Sequence, residues 1–407
     1  QRADDTYMDT PTIARIEVFR LEPPPAQNEG SAAWRPGWHH TFRQATPFDR
    51  FDQPVNRREP GGMIWVKATA SDGTYGLGST DTGETAAIII EHTLGPAVIG
   101  QQVGAIDACN DRMWHACLSF GMEGLAARAV AGVDLALWDL WGKHADQPVY
   151  RLAGGPHRQS VPCYLTGNDV DWGLELGFRK FKLARPHSVY DGHAGIEGTV
   201  EMIARTREMI GADADLMLDC WMAYDVDYAA RMCEALKPYR MAWMEEMLPY
   251  WNYEGYRTLR QRVPWQTMAT GEHWSTKHPG IRAVNDRLVD LIQADLKWIG
   301  GFTEALKLSH AADAAGIPMC LHTGANELYG QHWTFAAPNV HLIEYIQFSD
   351  PGIPLEECNL ASSSAAGRRA YRATPGTPVP QNGQMGLPPG PGFGLEIPLQ
   401  WLVPWKS

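Results

Sequence analysis

Three pieces of one stretch decide the fold: LMLDCWMAYDVDY at 216–228, MAWMEEMLPYWNYEGYR at 241–257 and QTMATGEHWST at 266–276. Each piece contains a short apolar run that leads to an acid, and these acids are Asp219, Glu245 and Glu272. The gaps between them are 26 and 27 residues, about the length of one strand–helix unit of a βα barrel. Because parallel barrel strands end at one common face, the spacing predicts that the three carboxylates converge.

Short apolar runs continue over the second half of the chain. Helical patterns such as AGIEGTVEMIARTREMIG at 194–211 lie between short apolar runs. Eight such runs alternating with helices predict a parallel sheet that closes into a barrel. The predicted strands lie within 161–167, 178–184, 215–221, 242–248, 266–273, 291–297, 317–324 and 341–348.

The first part of the chain has a different pattern. Alternating apolar residues predict strands at 13–21 and 62–70, and the Asp72-Gly73 turn followed by TYGLGST predicts a hairpin. Helical patterns follow over about 84–118 and 123–144. This part is therefore expected to be an α+β domain, and the Pro- and Gly-rich segment beyond about residue 350 to be extended.

Charge and cysteine content limit the class of protein. The net charge is −12 and the basic residues form no long block, which argues against a nucleic acid or an anionic membrane as partner. No apolar run reaches the length of about 20 residues that spans a bilayer. The seven cysteines show no CxxC pair, which predicts reduced core thiols in a cytoplasmic protein.

Acids and bases stand at the predicted strand ends, where a barrel has its working face. A carboxylate cluster is a hard-cation site that Mg²⁺ usually occupies. A strand-end Lys or His alone is more often structural, but consecutive strands here all contribute to one face. The set suits proton abstraction beside a carboxylate, since a divalent ion stabilises the enediolate. The candidate residues are Lys180, Lys182, Asp219, Glu245, Glu272, Asp295 and His322.

These residues resemble the mandelate racemase group of the enolase superfamily, and within it the rhamnonate dehydratase branch. The spacings from Asp219 through Glu245, Glu272 and Asp295 to His322 are 26, 27, 23 and 27 residues, which are similar to those of the group. GVDLALWDLWGKHADQPVYRLAGG at 132–155 is similar to the signature at the join of cap and barrel, and GEH at 271–273 and PGFGLE at 391–396 resemble the branch.

The resemblance implies an architecture. It is a modified TIM barrel of the (β/α)7β type, with an N-terminal α+β capping domain that the C-terminal segment completes. The expected division is a capping domain at 1–155, a barrel with the active site at 156–375 and a returning segment at 376–407.

The resemblance also implies roles for single residues. It makes Asp219, Glu245 and Glu272 the ligands of one Mg²⁺, with Glu246 as a rival for Glu245 that strand alternation and the family pattern exclude. His322 would be the acid/base and Asp295 its partner. The implied substrate-side residues are Lys182, as catalytic Lys of strand two, and His273. Further candidate substrate contacts, which depart from the family pattern, are Lys180 and, from the long cap loop, His39 and Arg57.

The activity implied by the resemblance is dehydration of an aldonic acid to a 2-keto-3-deoxy acid, a carbon–oxygen lyase reaction. His322 would serve as both base and acid on one face, or Lys182 would be the base in an anti elimination. A Mg²⁺-dependent racemase or epimerase of a 2-hydroxy acid is the alternative, and a non-catalytic, metal-dependent sugar-acid binding protein is a remote one. The expected partner is a small sugar acid, and the expected assembly is a homo-oligomer.

Overall fold

Two sheets organise the described part of the protein, which in this computed structural model is residues 10–23, 62–347, 352, 354–357 and 374–406. The first is antiparallel with order β12-β1-β2-β3, and the second is parallel with order β10-β4-β5-β6-β7-β8-β9, with β11 antiparallel on β4. The strands are β1 (Ile13–Leu21), β2 (Ile64–Ala70), β3 (Tyr75–Thr80), β4 (Ser160–Thr166), β5 (Lys180–Ala184), β6 (Asp215–Asp219), β7 (Trp243–Glu245), β8 (Met268–Thr270), β9 (Leu291–Ile292), β10 (Ile343–Ile346), β11 (Gln384–Gly386) and β12 (Leu402–Pro404).

Helices cover both sheets. The α-helices are α1 (Gly83–Ile89), α2 (Gly95–Val98), α3 (Ile106–Cys117), α4 (Leu125–His144), α5 (Val149–Leu152), α6 (Val170–Glu175), α7 (Gly192–Ile210), α8 (Val226–Leu236), α9 (Tyr253–Arg262), α10 (Lys277–Asn285), α11 (Leu296–Ile299), α12 (Phe302–Ala314) and α13 (Leu328–Ala336). A π-helical turn (Ile90–Leu94) joins α1 to α2, and short 3₁₀ segments are Val189–Asp191, Lys237–Tyr239, Leu355–Glu357 and Leu399–Trp401.

The capping part has the predicted strands followed by helices. Strand β3 lies unusually close to α4, because a Cβ added to Gly76 would come within 2.1 Å of the backbone nitrogen of Leu140. A Cβ on Gly78 would likewise meet the carbonyl oxygen of Gly132 at 2.2 Å. The two glycines of YGLGST therefore permit this packing, and no larger residue would.

The second sheet is the predicted (β/α)7β barrel. Its strands run in chain order around the sheet and are parallel to their neighbours. Each connection between successive strands carries at least one helix, from α6 after β4 to α13 before β10. The interpretation of the apolar runs as barrel strands, and the predicted fold class, are confirmed.

The seventh strand position is shorter than predicted. The run at 317–324 contributes a single bridging residue, Met319, which pairs in parallel with Ile292 on one side and Val340 on the other. The hydrogen bonds from Cys320 N–H to Ile292 O at 2.9 Å and from His322 N–H to Ala294 O at 3.1 Å continue this contact. The segment still closes the barrel and carries His322 to its C-terminal face.

The C-terminal segment returns to both sheets, with β11 on β4 and β12 on β1. Asp139 of α4 ties this return to the cap, since its carboxylate accepts from the N–H of Leu77 and of Phe393, each at 2.8 Å. His332 of α13 accepts from Tyr150 N–H at 3.2 Å and donates to Pro389 O at 2.9 Å. These buried polar contacts fasten cap, barrel and C-terminal segment at one seam.

Cysteines and helices agree with two narrower expectations. The six cysteines of the described residues are all buried and free, as predicted for core thiols, while Cys358 lies outside those residues. Among the helices that the structure describes, none is both long and apolar enough to cross a membrane.

Candidate active site

The three predicted metal ligands lie at one end of the barrel. Asp219 and Glu245 are the last residues of β6 and β7 and are paired in register. Glu272 follows the end of β8 by two residues. All three are buried, so the strand ends bring their carboxylates into one enclosed region, as the spacing predicts.

Their pKa values show how unfavourable this concentration of charge is. Burial, together with repulsion from Asp219, Glu344 and Glu272, raises the pKa of Glu245 to about 8 against the opposing effect of Lys182. Burial also raises the pKa of Asp219, with repulsion from Glu272, and the pKa of Glu272, with repulsion from Glu246. Clustered carboxylate oxygens that lack sufficient positive charge fit a hard divalent cation such as Mg²⁺.

Beside the acids lies the predicted pair of Asp295 and His322. Asp295 caps α11, since its Oδ1 accepts from the N–H of Lys297 at 2.8 Å and of Trp298 at 3.3 Å. Its Oδ2 lies 2.9 Å from His322 Nδ1. The cap thus holds the carboxylate in place, and the carboxylate orients the imidazole with Nε2 towards Glu272, 3.8 Å from Oε2.

His322 carries a strongly perturbed pKa. Burial lowers it, but the charge of Glu272, the hydrogen bond to Asp295 and the charge of Glu344 together raise it to about 10. The largest of these raising effects comes from Glu272, a predicted metal ligand. A cation bound to Glu272 would therefore bring the pKa of His322 back down, towards the range useful for a base.

Lys182 lies one layer beneath the strand ends. It is paired across β5 and β6 with Met217, whereas Ala184 is the residue level with Asp219. Its ammonium group forms an ion pair with Glu245 and lies 2.8 Å from Glu344 Oε1. Burial disfavours this charge, but the surrounding carboxylates raise the pKa of Lys182 well above 10.5 and so favour its charged form.

Glu344 was missed from the sequence although its signal was available. It lies in β10, the eighth barrel strand, in HLIEYIQF, where an acid follows an apolar run as in the opening stretch. It is fully buried and accepts from Thr323 N–H at 2.8 Å in addition to binding Lys182. The buried acids of the site therefore continue one strand further than predicted, although Glu344 is the second residue of β10 and not its last.

The structure does not bring Lys180, a predicted substrate contact, to the buried acids. It is the first residue of β5 and forms an ion pair with Asp215, the first residue of β6. Lys180 and Lys182 share a face of the strand, but two residues of strand separate them by about 6.6 Å. Because Lys182 lies two residues nearer the C-terminal end of the strand, Lys180 lies towards the N-terminal end of the barrel.

Glu246 is nearer the site than strand alternation predicts. It lies past the end of β7 with a positive φ of 42°, so the regular alternation of side chains no longer applies. Its Oε1 lies 2.9 Å from His273 Nδ1, and donor atoms of Glu246, Glu272 and His273 all lie within 4.8 Å of one another. Its Oε2 is buried without a hydrogen-bond partner among the described residues.

Glu245 and Glu246 therefore compete as ligands on structural grounds. The Oε1 of Glu245 binds Lys182, and its Oε2 accepts from Gln293 at 2.7 Å and Trp243 at 3.1 Å. The expectation that only one of the two acids points inward is wrong, because both are buried at the site.

His273 lies inside an aromatic wall at the edge of the site. The rings of Trp298, Trp221 and Tyr250 lie 5.1, 5.8 and 5.8 Å from its own. Burial lowers its pKa, but Glu246 and Glu272 raise it to about 9. His273 is thus placed to donate to a bound anion or hydroxyl group. The other predicted substrate contacts, His39 and Arg57, lie outside the described residues.

Comparison with known families gives two matches. Residues 170–401 match the family described as enolase C-terminal domain-like. Residues 46–154 match the N-terminal domain of the mandelate racemase / muconate lactonizing enzyme family.

Individual relatives cover most of the chain. It is 36% identical over 363 residues to the L-rhamnonate dehydratase of Saccharopolyspora erythraea, which covers 87% of this chain and 89% of the relative. A putative L-rhamnonate dehydratase of Caldivirga maquilingensis is 36% identical over 85% of this chain and 84% of its own. The crystal structure of a Gibberella zeae rhamnonate dehydratase complexed with Mg superposes with a TM-score of 0.84 at 28% identity, over 98% and 97% of the two chains.

Proposed function

This chain belongs to the enolase superfamily, within its mandelate racemase group, and on that premise we propose that it is a Mg²⁺-dependent dehydratase of aldonic acids. The observation that carries the proposal is the placement of the Asp295–His322 pair directly beside the buried acids, with His322 Nε2 3.8 Å from Glu272. The relatives named L-rhamnonate dehydratase support a six-carbon sugar acid as the substrate class.

In this proposal Asp219, Glu245 and Glu272 hold one Mg²⁺. When bound, the cation supplies the positive charge that stabilises an enediolate formed beside the substrate carboxylate. The residues fit this ion, since their oxygens are hard ligands, and burial together with repulsion from neighbouring carboxylates raises the pKa of all three. Lys182 lies beneath them and adds a fixed positive charge near the expected position of the C1 carboxylate.

His322 is the acid/base in the proposed reaction. As the neutral imidazole it takes the C2 proton on Nε2, with Asp295 supporting the imidazolium that forms. It then returns that proton to the C3 hydroxyl group, which leaves as water. The resulting enol tautomerises to the 2-keto-3-deoxy acid. One His serving both steps requires that proton and hydroxyl group leave from the same face.

The alternative with Lys182 as base has less support. Lys182 is held by two carboxylates, and at the level of Asp219 its strand presents Ala184, which carries no base. The same point disfavours a racemase or epimerase, which needs acid/base groups on both faces of the substrate. A non-catalytic binding protein would have no use for the His322 pair.

Further parts of the proposal concern the whole protein. We infer a cytoplasmic homo-oligomer that acts on a small sugar acid, with no nucleic acid or membrane as partner. The free buried cysteines support a reducing compartment. The division into 1–155, 156–375 and 376–407 is supported by the pairing of β12 with β1, which returns the last segment to the cap.

Product analysis tests the function. The protein is incubated with Mg²⁺ and a set of acid sugars that includes rhamnonate, mannonate, lyxonate, fuconate and galactonate. We expect a product lighter by one water that reacts with semicarbazide, and no reaction with EDTA. A product that has the mass of the substrate when formed in H₂O, and that carries deuterium at C2 when formed in D₂O, would establish an epimerase instead. Binding without turnover of any acid would favour the binding protein.

A further inference from the structure

Trp298 contacts both members of the acid/base pair. It is the third residue of α11, the short helix that begins directly after Asp295. Its backbone N–H donates to Asp295 Oδ1 at 3.3 Å, and its ring lies 5.6 Å from that of His322, with the two planes tilted by 46°. This separation is within the range of packed aromatic rings. A shift of Trp298 would therefore disturb both the imidazole and the carboxylate that orients it.

Two residues of the cap hold the indole of Trp298. Asp81, which directly follows β3, accepts from the indole N–H at 3.0 Å. Arg128 of α4 forms an ion pair with Asp81 and places its guanidinium group over the indole, 4.5 Å from the ring centroid. The side chains of Arg128 and Asp81 are only 18% and 21% exposed, so solvent screens these contacts less than those of a surface ion pair. The cap thus fixes one edge and one face of the ring.

The segment that follows α11 also lies against the cap. A Cβ added to Gly300 would come within 2.4 Å of the Trp114 ring in α3, and a Cβ on Gly301 would come within 2.5 Å of Asp134 Oδ2 in α4. Asp134 also accepts from the N–H of Thr303 at 3.0 Å. The short helix that provides the N–H groups bound to Asp295 is therefore held by the cap at its third residue and directly after its last.

A second ion pair joins cap and barrel without involving the acid/base pair. Lys307 of α12 lies 2.6 Å from Asp107 of α3, whose side chain is 79% exposed. Among the described residues, the further hydrogen-bond and ion-pair partners of Lys307 are Asn110 and Glu304, which lie outside the proposed site. Attachment of the cap to the barrel and orientation of Trp298 can therefore be tested separately.

Resting on the proposed dehydratase function, we propose that Asp81 and Arg128 of the cap are positioning residues for the acid/base pair and that they act through Trp298. In this role they contact neither the substrate nor the reacting atoms. A catalytic group has to be held within about 0.5 Å of its productive position, and here the residue that packs on the pair is fixed from the other domain. Docking of the cap thereby completes a proton-transfer site that the barrel strands carry.

A double-mutant cycle tests whether Asp81 acts through the indole. Asp81→Ala removes the hydrogen-bond acceptor, whereas Trp298→Phe keeps an aromatic ring but removes the N–H group that donates to it. Asp107→Ala is the matched control, because it also removes a carboxylate of the cap that pairs with a cation. We would measure kcat and KM for an acid sugar that the wild type turns over, and thermal unfolding verifies that each variant is folded.

We expect Asp81→Ala and Trp298→Phe each to lower kcat by about tenfold, since small displacements of a catalytic group slow the reaction strongly. KM should stay close to the wild-type value, the double variant should be no slower than the slower single variant, and Asp107→Ala should keep the wild-type kcat. An unchanged kcat for Asp81→Ala, losses that multiply in the double variant, a raised KM in place of a lowered kcat, or an equal loss in Asp107→Ala would each overturn the inference.

A measurement without substrate separates this inference from the proposed function. In protein with isotope-labelled histidines, the ring-nitrogen resonances of His322 are identified by their loss in His322→Asn. We expect these resonances to move in Asp81→Ala and to stay in place in Asp107→Ala. Such a shift in a protein that dehydrates no acid would refute the proposed function and still support the positioning role. Unmoved resonances in an active enzyme would refute the positioning role alone.

Discussion

Two histidines ten residues apart, one fully buried and one partly exposed, have pKa values shifted in opposite directions. His322, at the mouth of the barrel, has its pKa raised to about 10, while His332, at the seam of cap and barrel, has its pKa lowered to about 3. Burial alone lowers the pKa of both. The difference lies in the neighbours, which are carboxylates around His322 and neutral backbone groups around His332.

The comparison separates two uses of a buried polar group. At the seam the imidazole of His332 makes one hydrogen bond through each nitrogen, to Tyr150 and Pro389, and holds three parts of the chain together in its neutral form. At the mouth, acids are packed together without enough cations, which costs stability unless a bound cation balances them. A cluster of buried charges that lacks opposite charges indicates a functional site, whereas a buried polar group whose hydrogen bonds are all made indicates a structural role.

The largest effect should come from His322→Asn. It removes the proposed acid and base at once, so we expect kcat to fall by at least about a thousandfold, with Mg²⁺ binding and the unfolding temperature close to wild type. His332→Gln is the matched control, since its amide can keep both backbone hydrogen bonds, and near neutral pH it should retain most of the activity. If kcat falls by a similar factor in both variants, the two histidines do not have the different roles that we assign to them.

The next effect distinguishes the two adjacent acids at the mouth. We expect Glu245→Gln to weaken Mg²⁺ binding by more than about a hundredfold, and Glu246→Gln by about tenfold because it acts through His273 and Glu272. Isothermal titration of the metal-free variants with Mg²⁺ measures both. The reverse order would transfer the ligand role to Glu246, whose Oε2 has no hydrogen-bond partner among the described residues.

The smallest expected effect is a pH dependence of the protein's stability that comes from His332 at the seam of cap and barrel. The folded-state pKa of His332, about 3, lies below the ordinary value of 6.5, so between these values the unfolded chain binds more protons than the folded one. Its contribution to stability is therefore full above pH 6.5 and is lost as pH falls towards 3. The stability advantage of wild type over His332→Gln should then narrow from about pH 7.5 to about pH 5. Unfolding temperatures that keep a constant difference would show that His332 is not held neutral.

The barrel was predictable because its signal is local and repeated. The strands β6 to β8 each end in a charged or polar residue after apolar ones, and the helices between them carry their own periodicity. The seventh position was harder, since only Met319 forms the bridges there. The contact between Asp295 and His322 followed from strand order, because adjacent parallel strands end side by side.

The errors at the site have geometric causes. Lys180 was placed with Lys182 because the two share a face, but height along the strand separates them and pairs Lys180 with Asp215. Glu246 was placed outside because alternation was extended past the end of β7, where the φ of 42° breaks it. The contact of Arg128 with Trp298 brings together residues 170 positions apart, and no local pattern encodes it.

By itself the sequence determined the fold class, the parallel barrel and the acids and bases that its strand ends carry, because periodicity and spacing are properties of neighbouring residues. Only the tertiary structure decided which of those groups share a layer and how Glu246 and Glu344 join them. Those features depend on strand register, on one residue of left-handed backbone and on the docking of cap against barrel. Each of these is a relation between distant parts of the chain.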